Sequence, residues 1–97
     1  MTKFKLFSKG FNALVEAGFK IHVIDDEGTK TLVEKPKHAK DELEALEYSI
    51  LSFKKDDIKG FISFTSEYSA ERKTDVLEVC NFSGLAEEYF EEYLDEE

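Results

Sequence analysis

The sequence is poor in the residues that mark several classes of protein. It has one cysteine, one proline, five glycines and no tryptophan among its 97 residues. A lone Cys80 cannot form an internal disulfide, which argues against a small disulfide-stapled secreted scaffold. No apolar run approaches the length of a transmembrane span or of the apolar part of a signal peptide. We therefore expect a cytoplasmic protein that does not enter a membrane.

Catalytic and metal-binding motifs are also missing. The sequence has no glycine-rich phosphate loop, no HExxH or CxxC pattern and no GxSxG motif. His22 and His38 fall in different predicted elements, and the strand position of Cys80 predicts an inert, partly buried thiol. The acids at 25–27 lack the ligand spacing of a calcium loop and predict a turn. We expect no enzyme activity, no cofactor and no metal.

What the sequence does contain is acidic charge, unevenly distributed. It has 22 acidic and 13 basic residues, a net charge of -9; residues 1–40 carry +3 and residues 41–97 carry -12. Such a chain repels the phosphates of nucleic acid, so we expect no direct binding of DNA or RNA. Apolar residues, nine of them Phe, make up 41% of the chain, which suffices for a core. No linker divides the sequence, which predicts a single domain over residues 1–97.

Hydrophobic periodicity predicts a hairpin in the first half of the chain. Phe19, Ile21 and Val23 alternate with polar residues, a turn follows at 25–28, and residues 29–34 return as a second strand. Residues 8–17 predict a helix. Residues 1–7 fit either a helix or a short strand, and the strand is favoured because Phe4 and Leu6 alternate with lysines.

The second half predicts two more helices and a second strand pair. Ala39, Leu43, Leu46, Ile50 and Phe53 recur at helical spacing, which predicts a long helix over 37–55. Strands are expected at 60–65 and 75–82, with a loop at 66–74, and a last helix at 85–95. The predicted fold is therefore α+β, a small antiparallel sheet of four to five strands with two to three helices packed on one face.

The last predicted helix has one apolar half and one acidic half. On a helical wheel its acids form two rows, Glu87–Glu91–Asp95 and Glu88–Glu92–Glu96, with no basic residue among them. Like charges four residues apart destabilise an isolated helix, so docking of the apolar half must hold the helix in place. One interpretation is a solvated face that aids solubility. The other is a rigid negative surface, spaced on the scale of nucleic-acid phosphates, that meets a basic partner.

In size, acidity and mixed α/β pattern the sequence resembles the small acidic proteins of bacterial viruses, among them anti-CRISPR proteins and other DNA mimics. The resemblance rests on size and charge without a shared motif, so it carries no residue over. It implies an inhibitor that occupies the nucleic-acid channel of a host protein, such as a defence nuclease. The basic residues Lys3, Lys5, Lys9 and Lys20 imply that only one face would act as the mimic.

The main hypothesis is a non-enzymatic protein that inhibits a basic, nucleic-acid-handling partner through an acidic surface. One alternative is a structural or regulatory interaction module, including a homodimer formed through a sheet edge. Another is a small-ligand binder with a pocket between sheet and helices, lined by Phe61, Phe64 and Phe82. Tyrosines, Tyr48 and Tyr68 among them, would anchor a protein interface if they are exposed.

The residues predicted to contact the partner lie in the last helix and at the start of the long helix. The second group broadens the negative surface if the two helices lie close together. The predicted contact residues are Glu87, Glu88, Glu91, Glu92, Asp95, Glu96, Asp41, Glu44, Tyr89 and Tyr93.

Overall fold

The computed structural model describes residues 3–71 and 74–95 of the chain. Five strands form one antiparallel sheet in the order β2-β1-β3-β4-β5, and three helices accompany it. This arrangement confirms the predicted α+β fold. In chain order the elements are α1 (Lys3–Glu16), β1 (Lys20–Ile24), β2 (Lys30–Val33), α2 (Pro36–Glu44), β3 (Tyr48–Lys55), β4 (Ile58–Ser69), β5 (Thr74–Phe82) and α3 (Gly84–Asp95).

The long helix predicted over 37–55 is wrong in its second half. The helix ends at Glu44, and residues 48–55 form β3, the central strand of the sheet. Ile50 and Phe53 fit helical spacing, yet Ser49, Leu51 and Phe53 also alternate with more exposed neighbours at the period of a strand. Pairing with β1 on one side and β4 on the other decides the conformation of residues 48–55. The two neighbouring strands satisfy the backbone N–H and C=O groups of β3, as a helix would satisfy them internally.

Two further element boundaries differ from the prediction. The described part of the N-terminal segment, from Lys3 onward, is helical rather than a strand, because Phe7, Phe11 and Leu14 are buried together on one side of α1. Much of the loop predicted at 66–74 is strand instead, since β4 extends to Ser69 and β5 begins at Thr74. The predicted hairpin strands of the first half and the last helix are confirmed to within about two residues.

All three helices cover the same face of the sheet. Buried strand residues that lie opposite one another, such as Val33, Ile21 and Phe53, point toward the helices and form one core with them. The residues between them in sequence point to the opposite face, which we call the open face. The predicted acidic contact residues of α2 and α3 therefore lie on the helical side of the sheet. The open face carries the alternate side chains of the strands.

A buried hydroxyl in β3 lowers the stability of this core. Ser49 is 1% exposed, and its Oγ has no hydrogen-bond partner among the described residues. Ser63, by contrast, donates its hydroxyl to the carbonyl of Asn81 at 3.3 Å. An unsatisfied buried hydroxyl costs more than its removal. We therefore expect Ser49→Ala to raise the free energy of unfolding by about 1 kcal/mol in urea denaturation, and Ser63→Ala to lower it by a similar amount.

The phenol of Tyr93 makes stability depend on alkaline pH. Burial raises the pKa of Tyr93 from 10.0 to about 12, because the charged form loses its hydration. The folded state therefore gains from the neutral phenol below pH 10, and this gain disappears as the pH rises from 10 toward 12. Between pH 9 and pH 11 we expect the unfolding free energy of the wild type to fall by about 1.4 kcal/mol more than that of Tyr93→Phe. Equal losses in the two proteins would contradict this assignment.

Candidate acidic binding surface

The helix α3 is fixed in place at its start and along its apolar side. The Ser83 hydroxyl accepts a hydrogen bond from the backbone N–H of Ala86 at 3.3 Å, an N-terminal cap. Ala86, Phe90 and Tyr93 are buried, and the rings of Phe90 and Tyr93 pack on Phe7 of α1 at 5.7 and 5.5 Å. Docking against α1 and the sheet thus holds the helix despite its repelling acids.

The predicted acidic residues of α3 are exposed as far as the structure describes them. Glu87, Glu88, Glu91, Glu92 and Asp95 all face solvent. Glu92 accepts a hydrogen bond from Lys9 of α1 at 2.8 Å, whereas the other four have no ion-pair partner among the described residues. Their charges are therefore available to a partner.

The acids do not form two straight rows along α3. Phe90 has φ −116° and ψ 26°, which interrupts the helical backbone in the middle of the element. The interruption lies where Gly10 of α1 approaches Tyr89 and Phe90. Glu91 and Asp95 therefore continue at a different angle from Glu87, and the even spacing predicted from an ideal helix does not hold across the kink. Glu96, the last acid predicted for the surface, lies outside the described residues.

The tyrosines expected at the interface are placed differently from one another. Tyr93 is 5% exposed and belongs to the core, so little of its ring is accessible to a partner. Tyr89 is half-buried and packs edge-on against Phe19 at 5.5 Å, leaving part of its ring beside the acids. Tyr48 is exposed on the open face of the sheet, away from α3. The side chain of Tyr68 lies outside the described part of the chain.

Asp41 and Glu44 do not extend the surface as simply as predicted. Both lie in α2 and pair within it, Asp41 with Lys37 at 3.5 Å and Glu44 with Lys40. The helix α1 packs against both α2 and α3, and two of its lysines contact α3. Lys9 reaches Glu92, and Lys3 lies over the ring of Tyr93 at 5.5 Å. Basic side chains thus interrupt the negative surface between α2 and α3.

The other predicted sites are not assembled. Phe64 is buried in the core, while Phe61 lies on the open face opposite Ser52, so these two rings and Phe82 do not line one pocket. Cys80 is exposed rather than partly buried, and its Sγ lies 3.7 Å from the Thr65 hydroxyl. β3 and β4 separate it from His22 on β1, a spacing of about 14 Å. No cysteine–histidine pair forms there.

Residues 3–71 and 74–95 contain no cluster of three or more His, Cys, Asp or Glu that would hold a metal ion. Within the same ranges, no helix is long and apolar enough to span a bilayer. Comparison of the chain with protein families, with curated proteins and with solved structures finds no match.

Proposed function

We propose that this protein is a non-enzymatic inhibitor that binds a basic, nucleic-acid-handling protein through the exposed acids of α3. The observation that carries the proposal is the set of four exposed acids without an ion-pair partner among the described residues, namely Glu87, Glu88, Glu91 and Asp95. They stand on a helix whose opposite side is buried in the core. A helix face that only aids solubility can carry charges of both signs. The exposed face of α3 carries only negative charges, although these repel one another within the helix.

The physical basis of binding is competition for a basic groove. Arginines and lysines that bind phosphates also bind carboxylates, and a docked helix presents the carboxylates without a large cost in ordering. Long-range attraction speeds the encounter and is screened by salt over about 10 Å at 0.1 M. The partner's nucleic acid is then excluded because both ligands need the same cationic side chains.

The DNA-mimicking inhibitors that the sequence resembles are one class of protein with this proposed function. A DNA-mimicking inhibitor of a host defence nuclease, acting in the cytoplasm, would need a rigid negative surface of this type. The lysines of α1 restrict that surface to one side of the helix layer, because Lys9 already neutralises part of the charge at Glu92. The proposed contact surface therefore contains only some of the acidic residues in the second half of the chain.

Affinity capture from a nuclease-treated bacterial lysate tests the proposal. Tagged wild-type protein and a variant with Glu87, Glu88, Glu91 and Glu92 changed to Gln are compared, with elution by stepped salt and identification by mass spectrometry. We expect the wild type to retain a nucleic-acid-binding protein that salt releases, and the variant to miss it. The purified partner should lose its nucleic acid when the wild type is added. A partner held equally by both proteins, or salt-independent self-association alone, would favour the sheet-edge interaction module instead.

A further inference from the structure

The open face of the sheet carries a row of lysines that the structure aligns across three strands. Lys20 of β1 lies directly opposite Lys54 of β3, and Lys54 lies directly opposite Lys59 of β4. Neighbouring strands are separated by about 4.8 Å, so the three side chains leave the same face close together. Lys30 of β2 stands on this face as well.

This row is unfavourable unless something neutralises it. Like charges directly opposite each other in a sheet destabilise the pair. Lys9, Lys37 and Lys40, which lie in helices, each have an acidic partner. None of the four lysines of the open face has an ion-pair partner among the described residues. Acids are abundant in a chain with a net charge of -9, and Asp56 lies beside this row without forming an ion pair with it.

The lysines surround a depression large enough for a small molecule. Its volume is about 550 Å³, and it is lined by Lys20, Lys30, Lys54, Lys59, His22, Ser52 and Asp56. Four lysines against one aspartate leave an excess of three positive charges. The Ser52 hydroxyl and the His22 ring add further hydrogen-bonding groups. The volume is within the range of small-molecule sites, and the polar lining with its excess positive charge suits an anionic ligand.

A second row of side chains, two of them apolar, crosses the open face beside the lysine row. Leu32 lies opposite His22, and Phe61 lies opposite Ser52, so the four residues cross the sheet in one line. Leu32 is exposed and Phe61 is half-buried. A planar ring lying along this line would contact Phe61 while an attached anion reached the lysines.

We propose that this depression binds a nucleoside triphosphate, with the phosphates among Lys20, Lys54 and Lys59 and the base along Phe61. The site goes beyond the proposed inhibitory surface and lies on the opposite face of the sheet. Three lysines match the several negative charges of a triphosphate, and the ammonium groups act as separate point charges toward its oxygens. The proposal concerns binding only and includes no reaction of the phosphates.

Calorimetric titration of the full chain with ATP, without divalent metal and at low salt, tests the site. We expect saturable binding by the wild type and an affinity lower by roughly tenfold or more for Lys54→Gln, which removes the central charge of the row. The control is Lys37→Gln, the same change at an exposed lysine of α2, and its affinity should equal that of the wild type. Circular dichroism confirms that both variants are folded.

A second titration, with inorganic triphosphate, separates the contribution of the base to the affinity from that of the phosphates. We expect inorganic triphosphate to bind more weakly than ATP, because it lacks the contact with Phe61. Equal affinities would overturn the nucleotide assignment. The site itself is overturned if ATP shows no saturable binding up to about 1 mM, or if Lys37→Gln loses as much affinity as Lys54→Gln. Since the acidic helix takes no part, these outcomes are independent of the capture experiment.

Discussion

Replacing Glu87, Glu88, Glu91 and Glu92 by glutamine should weaken partner binding by about 30-fold at low salt. Each exposed carboxylate that meets a cation contributes about 0.7 kcal/mol. Glu92 is already paired with Lys9, so the other three contribute about 2 kcal/mol. Interferometry or calorimetry with the captured partner measures the loss. The effect should shrink as salt rises, because the wild type itself then loses the same attraction.

The fold should tolerate these four changes. Glutamine has nearly the helix propensity of glutamate, and the change removes repulsion between residues four apart, such as Glu87 and Glu91. The exposed pair between Lys9 and Glu92 is lost, at a cost of less than about 1 kcal/mol. We expect thermal unfolding at or above the wild-type temperature, which separates loss of binding from loss of structure.

A second variant controls for net charge. Asp26→Asn, Glu27→Gln, Glu34→Gln and Asp57→Asn also change the net charge from -9 to -5, at exposed positions outside the helices. This variant should retain most of the partner affinity, because its charges lie away from α3. If the two variants bind equally weakly, overall charge rather than a defined surface drives binding, and the proposed inhibitory contact is wrong.

Gly10→Ala should lower the free energy of unfolding by about 2 kcal/mol. A Cβ built at Gly10 would lie 2.8 Å from the carbonyl oxygen of Tyr89 and would overlap the ring of Phe90. Alanine gains about 1 kcal/mol over glycine from helix propensity. Overpacking costs up to about 3 kcal/mol, and here one of the clashing atoms is backbone, so the clash outweighs the gain.

The matched control is Asn12→Ala, an exposed position on the same helix. It gains helix propensity without meeting α3, so its unfolding free energy should equal or exceed that of the wild type. Urea denaturation of the three proteins measures the difference. If Gly10→Ala were as stable as Asn12→Ala, the close contact between α1 and α3 would be absent in solution. Because this contact positions the acids, Gly10→Ala should also weaken partner binding in proportion to the displacement of α3.

The elements that were predictable are those whose signal is local. The last helix was found because its apolar and acidic halves separate over twelve residues and Ser83 supplies a cap. The first hairpin was found because residues 19–23 alternate and Gly28, with φ +89°, suits the turn. In both cases one stretch of chain holds enough information, since the burial of one face follows directly from the sequence period.

The middle of the chain shows where local signal fails. Residues 48–55 satisfy helical and strand periods at once, so the helix that begins at Pro36 was predicted to run through them. The choice between the two periods depends on pairing with β1 and β4, which lie elsewhere in the sequence. Treating Lys54 as the end of a helix also hid the row that it forms with Lys20 and Lys59.

The sequence by itself determined the fold class, the acidic side of the last helix and the lack of any catalytic motif. These follow from composition and from periods within single elements. Only the tertiary structure decided that Tyr93 is core, that α1 brings lysines to the acidic layer, and that three lysines meet on the open face. The reason is physical: burial, ion pairing and strand register are properties of contacts between distant segments, and these are set when the whole core packs.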